Sequence, residues 1–131
     1  ISSGLVGSEM CIRDRSKDLD NKANKKFVQD FQQEYGRLPS LYASQGYDTG
    51  KLLISALNVA DVKDQDKFRS ALKNANFEST RGSFKFDTNQ HPIQDIYVRE
   101  VIKEGKILTN KIISTGLKNR SNAYVKDCPL K

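Results

Sequence analysis

The chain has 131 residues, 37% hydrophobic and 29% charged, with no tryptophan and a formal net charge of +6. That length allows at most one ordinary domain, and the apolar share is too high for a disordered chain. No apolar run approaches the roughly 20 residues of a membrane-spanning helix, and no charged-then-apolar opening reads as a signal peptide. The basic balance invites a nucleic-acid reading. The charges are interleaved, however: Lys25 and Lys26 are followed by Asp30 and Glu34, and Lys63 by Asp64 and Asp66. A solvated mixed surface with no nucleic-acid partner is expected.

Residues 1–15 are read as foreign to the fold. The run Leu5 to Arg15 matches the translation of a transposon-type sequencing adapter: CTC GTG GGC TCG GAG ATG TGT ATA AGA GAC encodes Leu-Val-Gly-Ser-Glu-Met-Cys-Ile-Arg-Asp, and a following codon beginning AG suits Arg15. Such scars are set aside in fold reasoning. Setting them aside removes Glu9, Arg13, Asp14 and Arg15, so the charge is unchanged. It also removes Cys11 and leaves Cys128, as a free thiol or paired with a cysteine elsewhere; one cysteine supports neither a zinc site nor a redox pair.

Three helical patterns follow. In the first, Ala23, Phe27, Val28, Phe31 and Tyr35 recur at helical spacing, with Asp20 or Asn21 as cap, Gly36 just past the end and Pro39 preventing continuation. The second runs from Ser40 to about Ala60, with Tyr42, Leu52, Leu53, Ile54, Ala56, Leu57 and Ala60 as its apolar surface. Its first half is small (Ala43, Ser44, Gly46, Gly50), and each helical glycine costs roughly 1 kcal/mol. Close approach of another backbone or a ligand is the usual reason, and close helix–sheet packing the commoner one. The third runs from Asp64 or Asp66 to about Asn76, with Phe68, Ala71, Leu72 and Ala75 as its stripe.

The period then changes to two. Phe84 and Phe86 flank Lys85; Asp95 to Ile102 alternates; Ile107 to Thr115 follows a tip of Lys103-Glu104-Gly105-Lys106, which reads as a hairpin. The segment Asp87 to Pro92 is turn chemistry throughout. Helices on one face of a sheet normally cover parallel strands, and buried parallel strands read as continuous Val/Ile/Leu runs. No such run precedes Ser83, so the expected strands belong to sequence upstream.

Catalytic signatures are absent. There is no GxGxxG, Walker-type loop, HExxH, nucleophile elbow or CxxC. His91 stands alone in a turn, where a histidine is structural or exposed. Asp87, Asn89 and His91 alternate as ligands could, but without a further acidic ligand or the glycine of a calcium loop no metal is expected. An α/β enzyme would need an acid–base or nucleophile pair in one cleft, so neither enzyme activity nor a cofactor is expected.

The run Gly36-Arg37-Leu38-Pro39-Ser40-Leu41-Tyr42-Ala43-Ser44-Gln45-Gly46-Tyr47-Asp48-Thr49 resembles the corresponding segment of the leucine/isoleucine/valine-binding protein family, the periplasmic receptors of branched-chain amino acid ABC transporters. Asn24 to Val28, Arg81 to Asp87 and His91 to Asp95 are similar to that family in the same order. The resemblance implies an α/β fold of the type I periplasmic-binding-protein kind, with two Rossmann-like lobes of which only the C-terminal part is present. Residues 16–88 would complete the first lobe, and 89–131 would hold a hinge crossing and the last strands of the second. Asp87, Asn89, His91 and Pro92 are the candidate hinge residues.

The same resemblance implies a substrate-binding protein that captures an amino acid or related small carboxylate between the lobes. It would pass this ligand to a membrane permease, reside in the periplasm and be monomeric when complete. Most polar ligand contacts would come from upstream, leaving this region a wall near Pro39–Tyr47. Tyr42 and Gln45, with Leu41 and Ser44 beside them, are the candidate ligand-binding residues; Tyr47 is assigned to packing. The alternative is a ligand-sensing domain of a receptor or regulator with the same fold.

Overall fold

The computed structural model describes residues 10–13, 15–74, 76–83 and 85–128. Ala75 of the third stripe, Phe84 and the end of the chain after Cys128 lie outside the described residues, as do residues 1–9 and Asp14 of the segment read as adapter. The elements in chain order are β1 (Met10–Arg13), α1 (Lys22–Tyr35), α2 (Leu41–Leu57), α3 (Gln65–Lys73), β2 (Lys85–Phe86), β3 (Pro92–Glu104) and β4 (Ile107–Arg120), followed by a short 3-10 turn, Val125–Asp127.

The helix ends follow the local chemistry. Asn21 accepts the Asn24 N–H at 2.7 Å, Ser40 that of Ala43 at 3.2 Å, and Asp64 that of Lys67 at 3.2 Å, each satisfying a donor that the first turn leaves open. Gly36 closes α1 at φ 64°. Two helices stop earlier than their apolar patterns predict. Asn58 ends α2 by bonding back to Ile54 and Ala56, and Asn74 ends α3 through its backbone and side-chain bonds to Ser70.

Among the described residues all strand pairs are antiparallel. The β3–β4 hairpin turns through Gly105 and Lys106; the left-handed φ of 62° falls on Gly105 alone, the pattern of a II′ turn. β4 continues to Arg120, beyond the predicted Thr115, because β3 supplies partners back to Gln94. β1, within the segment read as adapter, pairs with β3 from Met10↔Glu100 to Arg13↔Tyr97.

The apolar core is small. Among the described residues, the buried hydrophobic side chains are Leu19, Phe27 and Ala56. Phe27 packs on Tyr47 (ring centroids 4.8 Å apart) and Phe31 (5.8 Å), joining α1 to α2. The packing role expected of Tyr47 is therefore present. Leu53, Ile54 and Leu57 instead face solvent. The close approach expected at Gly46 and Gly50 is not found: a Cβ at either would meet nothing within 4 Å, since no described strand lies over that part of α2.

Candidate functional site

The loop from Leu38 to Ser40 delivers the chain into α2 and presents its first turns. Tyr42 is 81% exposed and Gln45 is exposed beside it, one helical turn on. Both side chains are open to solvent. Leu41 is half-buried at the edge of a cleft of about 280 Å³, lined also by Arg15, Ser16, Pro39, Arg99 and Thr109. Ser44 differs from its neighbours. It has no exposed surface, and its Oγ has no hydrogen-bond partner. It lies four residues before Asp48 on the inward face, so it offers nothing to a ligand in this structure.

Two buried polar centres escaped the sequence reading. Asp48 of α2 is 2% exposed. Its carboxylate accepts from Ser79 Oγ at 2.6 Å, Thr80 N at 2.9 Å, Thr80 Oγ1 at 3.2 Å and Arg81 Nε at 3.1 Å. Arg81 also donates through Nη1 to Gln94 of β3 at 3.2 Å. The second centre is Asn24 of α1, which is fully buried. Its amide donates to the carbonyls of Ser16 and Lys17 at 3.0 Å and of Leu19 at 3.2 Å, and its Oδ1 accepts from Arg15 at 3.3 Å. Both sit in phase with apolar stripes: Asn24 with Phe27, Val28 and Phe31, Asp48 with Leu41 and Leu52. A polar residue at such a position was the available signal.

The candidate hinge residues form a closed turn. Asp87 N–H donates to the His91 carbonyl at 2.8 Å and Gln90 N–H to the Asp87 carbonyl at 2.9 Å. Thr88 N–H bonds Asp87 Oδ1 at 2.7 Å, and His91 N–H bonds Asn89 Oδ1 at 3.2 Å. Asn89 is buried, and Gln90 holds φ 62°. Pro92 opens β3 opposite Phe86. His91 is exposed, with Nδ1 3.4 Å from Asn122 Nδ2. Among the described residues no group of three or more His, Cys, Asp or Glu could hold a metal, and Cys128 is an exposed free thiol.

Two partly buried groups carry an alkaline signature. Burial, then the neighbouring Asp95 carboxylate, pushes the Tyr97 phenol above its ordinary value. Burial opposes the charge on Lys17, but Asp18 and Glu104, at 2.6 and 3.0 Å, outweigh it and raise its pKa. Folded values above the unfolded ones mean stability present in full below about pH 10 and lost as pH rises through the folded values. The urea midpoint is expected to hold from neutrality to about pH 9 and to fall beyond about pH 10. Tyr97→Phe should make that fall shallower; an unchanged slope counts against the assignment.

A larger opening lies elsewhere. A groove of about 1090 Å³ runs between α1, α2 and α3, lined by Lys22, Lys26, Tyr47, Lys51, Ile54 and Phe77 among others. It follows the C-terminal half of α2 and includes none of the four candidate ligand residues.

The family model described as periplasmic binding protein matches residues 10–106. The chain belongs to the periplasmic binding protein family. Its fold is accordingly the type I periplasmic-binding-protein fold, represented here in part. An ABC transporter solute binding protein from R. palustris in complex with benzoate is 29% identical, with TM-score 0.79, over 87% of this chain and 31% of that one. A second, from Rhodopseudomonas palustris BisB5 with 3,4-dihydroxybenzoic acid, is 28% identical, with TM-score 0.74, over 87% and 32%. A leucine binding protein from Thermotoga maritima, 22% identical with TM-score 0.65 over 83% and 31%, shares the fold. This periplasmic binding protein chain thus spans about a third of the length of the solved structures it matches. No protein with curated annotation matches it.

Proposed function

We propose that this chain is the C-terminal part of a periplasmic solute-binding protein of an ABC importer. It captures a small carboxylate, aromatic or amino-acid-like, in an interlobe cleft for a membrane permease, and catalyses nothing. The family match over residues 10–106 carries this reading, and the relatives with bound benzoate and 3,4-dihydroxybenzoate support the ligand class. Such a ligand asks for polar donors around its carboxylate and an apolar or aromatic wall around its body. Tyr42, with Gln45 and Leu41, contributes the wall, and the other contacts come from the rest of the protein. In this reading residues 16–88 belong to the first lobe and 89–131 to the crossing and the second.

The test starts by reading the source DNA upstream of the Ser16 codon and expressing the complete gene. A ligand at 100 times its Kd stabilises by about 2.7 kcal/mol. Screening benzoate, hydroxybenzoates and amino acids by thermal shift should therefore raise Tm by several degrees for at least one. Tyr42→Ala and Gln45→Ala should weaken binding while leaving the ligand-free Tm within about 1 °C, because both side chains are exposed. A complete protein that no carboxylate or amino acid stabilises overturns the reading.

A further inference from the structure

The second half of α2 turns apolar side chains outward. Leu53 is 42% exposed, Ile54 55% and Leu57 52%, and Val59, just past the helix end, 75%. Ala56, on the other side, is fully buried, and Ser44 and Asp48 lie buried in line with it. One side of α2 is thus enclosed, while a second apolar side is open. An open apolar face of this kind marks a surface that another segment covers.

The open side continues toward the helix start through Gly50 and Gly46. At spacings of four, three and four, Gly46, Gly50, Leu53 and Leu57 fall on one line along the helix, about 16 Å long. Among the described residues nothing lies within 4 Å of a Cβ built at either glycine. With nothing against them, the two glycines only cost helix stability. A backbone laid along the line needs them, because a Cβ there would hold it off. That length matches about five residues of an extended strand.

This chain spans about a third of the length of the solved structures it matches. It also carries, before Ser83, no Val/Ile/Leu run of the kind that buried parallel strands show. We infer that the open line is the seat of an apolar strand of the first lobe, lying upstream in the complete protein. Its backbone runs against Gly46 and Gly50, and its side chains cover Leu53 and Leu57. The open face stands on this chain's geometry. That a strand of the same protein fills it rests on the reading of the chain as the C-terminal part of a solute-binding protein.

Melting temperatures of the same variants in two proteins, the 131-residue chain and the complete protein without ligand, test the seat. In the 131-residue chain Gly50→Ala should raise Tm by about 3 °C, the gain in helix propensity from a Cβ that meets nothing. In the complete protein the same change should lower Tm by about 1–2 °C, because the methyl group displaces the strand. Leu57→Lys should move the Tm of the 131-residue chain by no more than about 3 °C. It should lower that of the complete protein by about 3–5 °C, since the charge is then buried without a partner. No fall for Gly50→Ala in the complete protein, or a Leu57→Lys tolerated there, overturns the seat. A fall for Gly50→Ala in both proteins overturns it as well, since a second copy would then already cover the face in the 131-residue chain. No ligand enters these readings. Failure of the transport reading appears separately, as absence of a ligand-induced Tm shift in the complete protein.

Discussion

Replacing Asp48 with alanine is expected to lower the unfolding free energy by about 3–5 kcal/mol, the cost of removing one partner from a buried ion pair. Ordinary domains have about 5–15 kcal/mol in all, so the variant should sit near its unfolding midpoint without denaturant. The cause is not the loss of one attraction. Alanine removes the common acceptor of the Ser79 and Thr80 hydroxyls, the Thr80 N–H and Arg81 Nε at a buried site. Asp48→Asn preserves the shape and one acceptor oxygen, and should lose less, about 1–3 kcal/mol. Urea unfolding followed by circular dichroism measures both. A loss below about 1 kcal/mol for the alanine variant would show that Asp48 is accessible to water in solution.

Asn24→Leu comes next, at about 3 kcal/mol. Leucine matches the side chain in size and suits a helix, so neither volume nor propensity is at stake. What it removes is the amide that serves the buried carbonyls of Ser16 and Leu19 and the part-buried carbonyl of Lys17, each left without that donor. These bonds hold the approach to α1 against the helix, next to Ser16, whose hydroxyl ties the same segment to Asn110 of β4 at 2.8 Å. The same urea titration reads the loss. An unchanged midpoint would mean that the 16–19 segment is not held by Asn24 in solution.

The two residues with the largest expected effects were those the sequence concealed. Periodicity located α1, α2 and α3 within a few residues, since the stripe of Phe27, Val28 and Phe31 and the caps at Asn21, Ser40 and Asp64 are local signals. The β3–β4 hairpin was legible for the same reason, from alternation and Gly105. An asparagine or aspartate inside a helix, by contrast, reads first as a solvated residue. Its burial depends on groups far along the chain, such as the 79–81 segment more than 30 residues beyond Asp48. The glycines of α2 misled in the opposite direction, because the smallness of Gly46 and Gly50 meets no close neighbour here.

For the candidate site, the sequence by itself determined that a proline-led loop enters a helix whose first turn carries Leu41, Tyr42, Ser44 and Gln45. Side-chain order along a helix follows from its period alone. Only the tertiary structure decided that Tyr42 and Gln45 face outward while Ser44 is enclosed. It alone decided that Arg81 reaches both Asp48 and Gln94. Exposure and long-range hydrogen bonding depend on which segments the fold brings alongside. That information resides in the packing of α1, the 79–81 segment and β3 around α2, and in no stretch of sequence read alone.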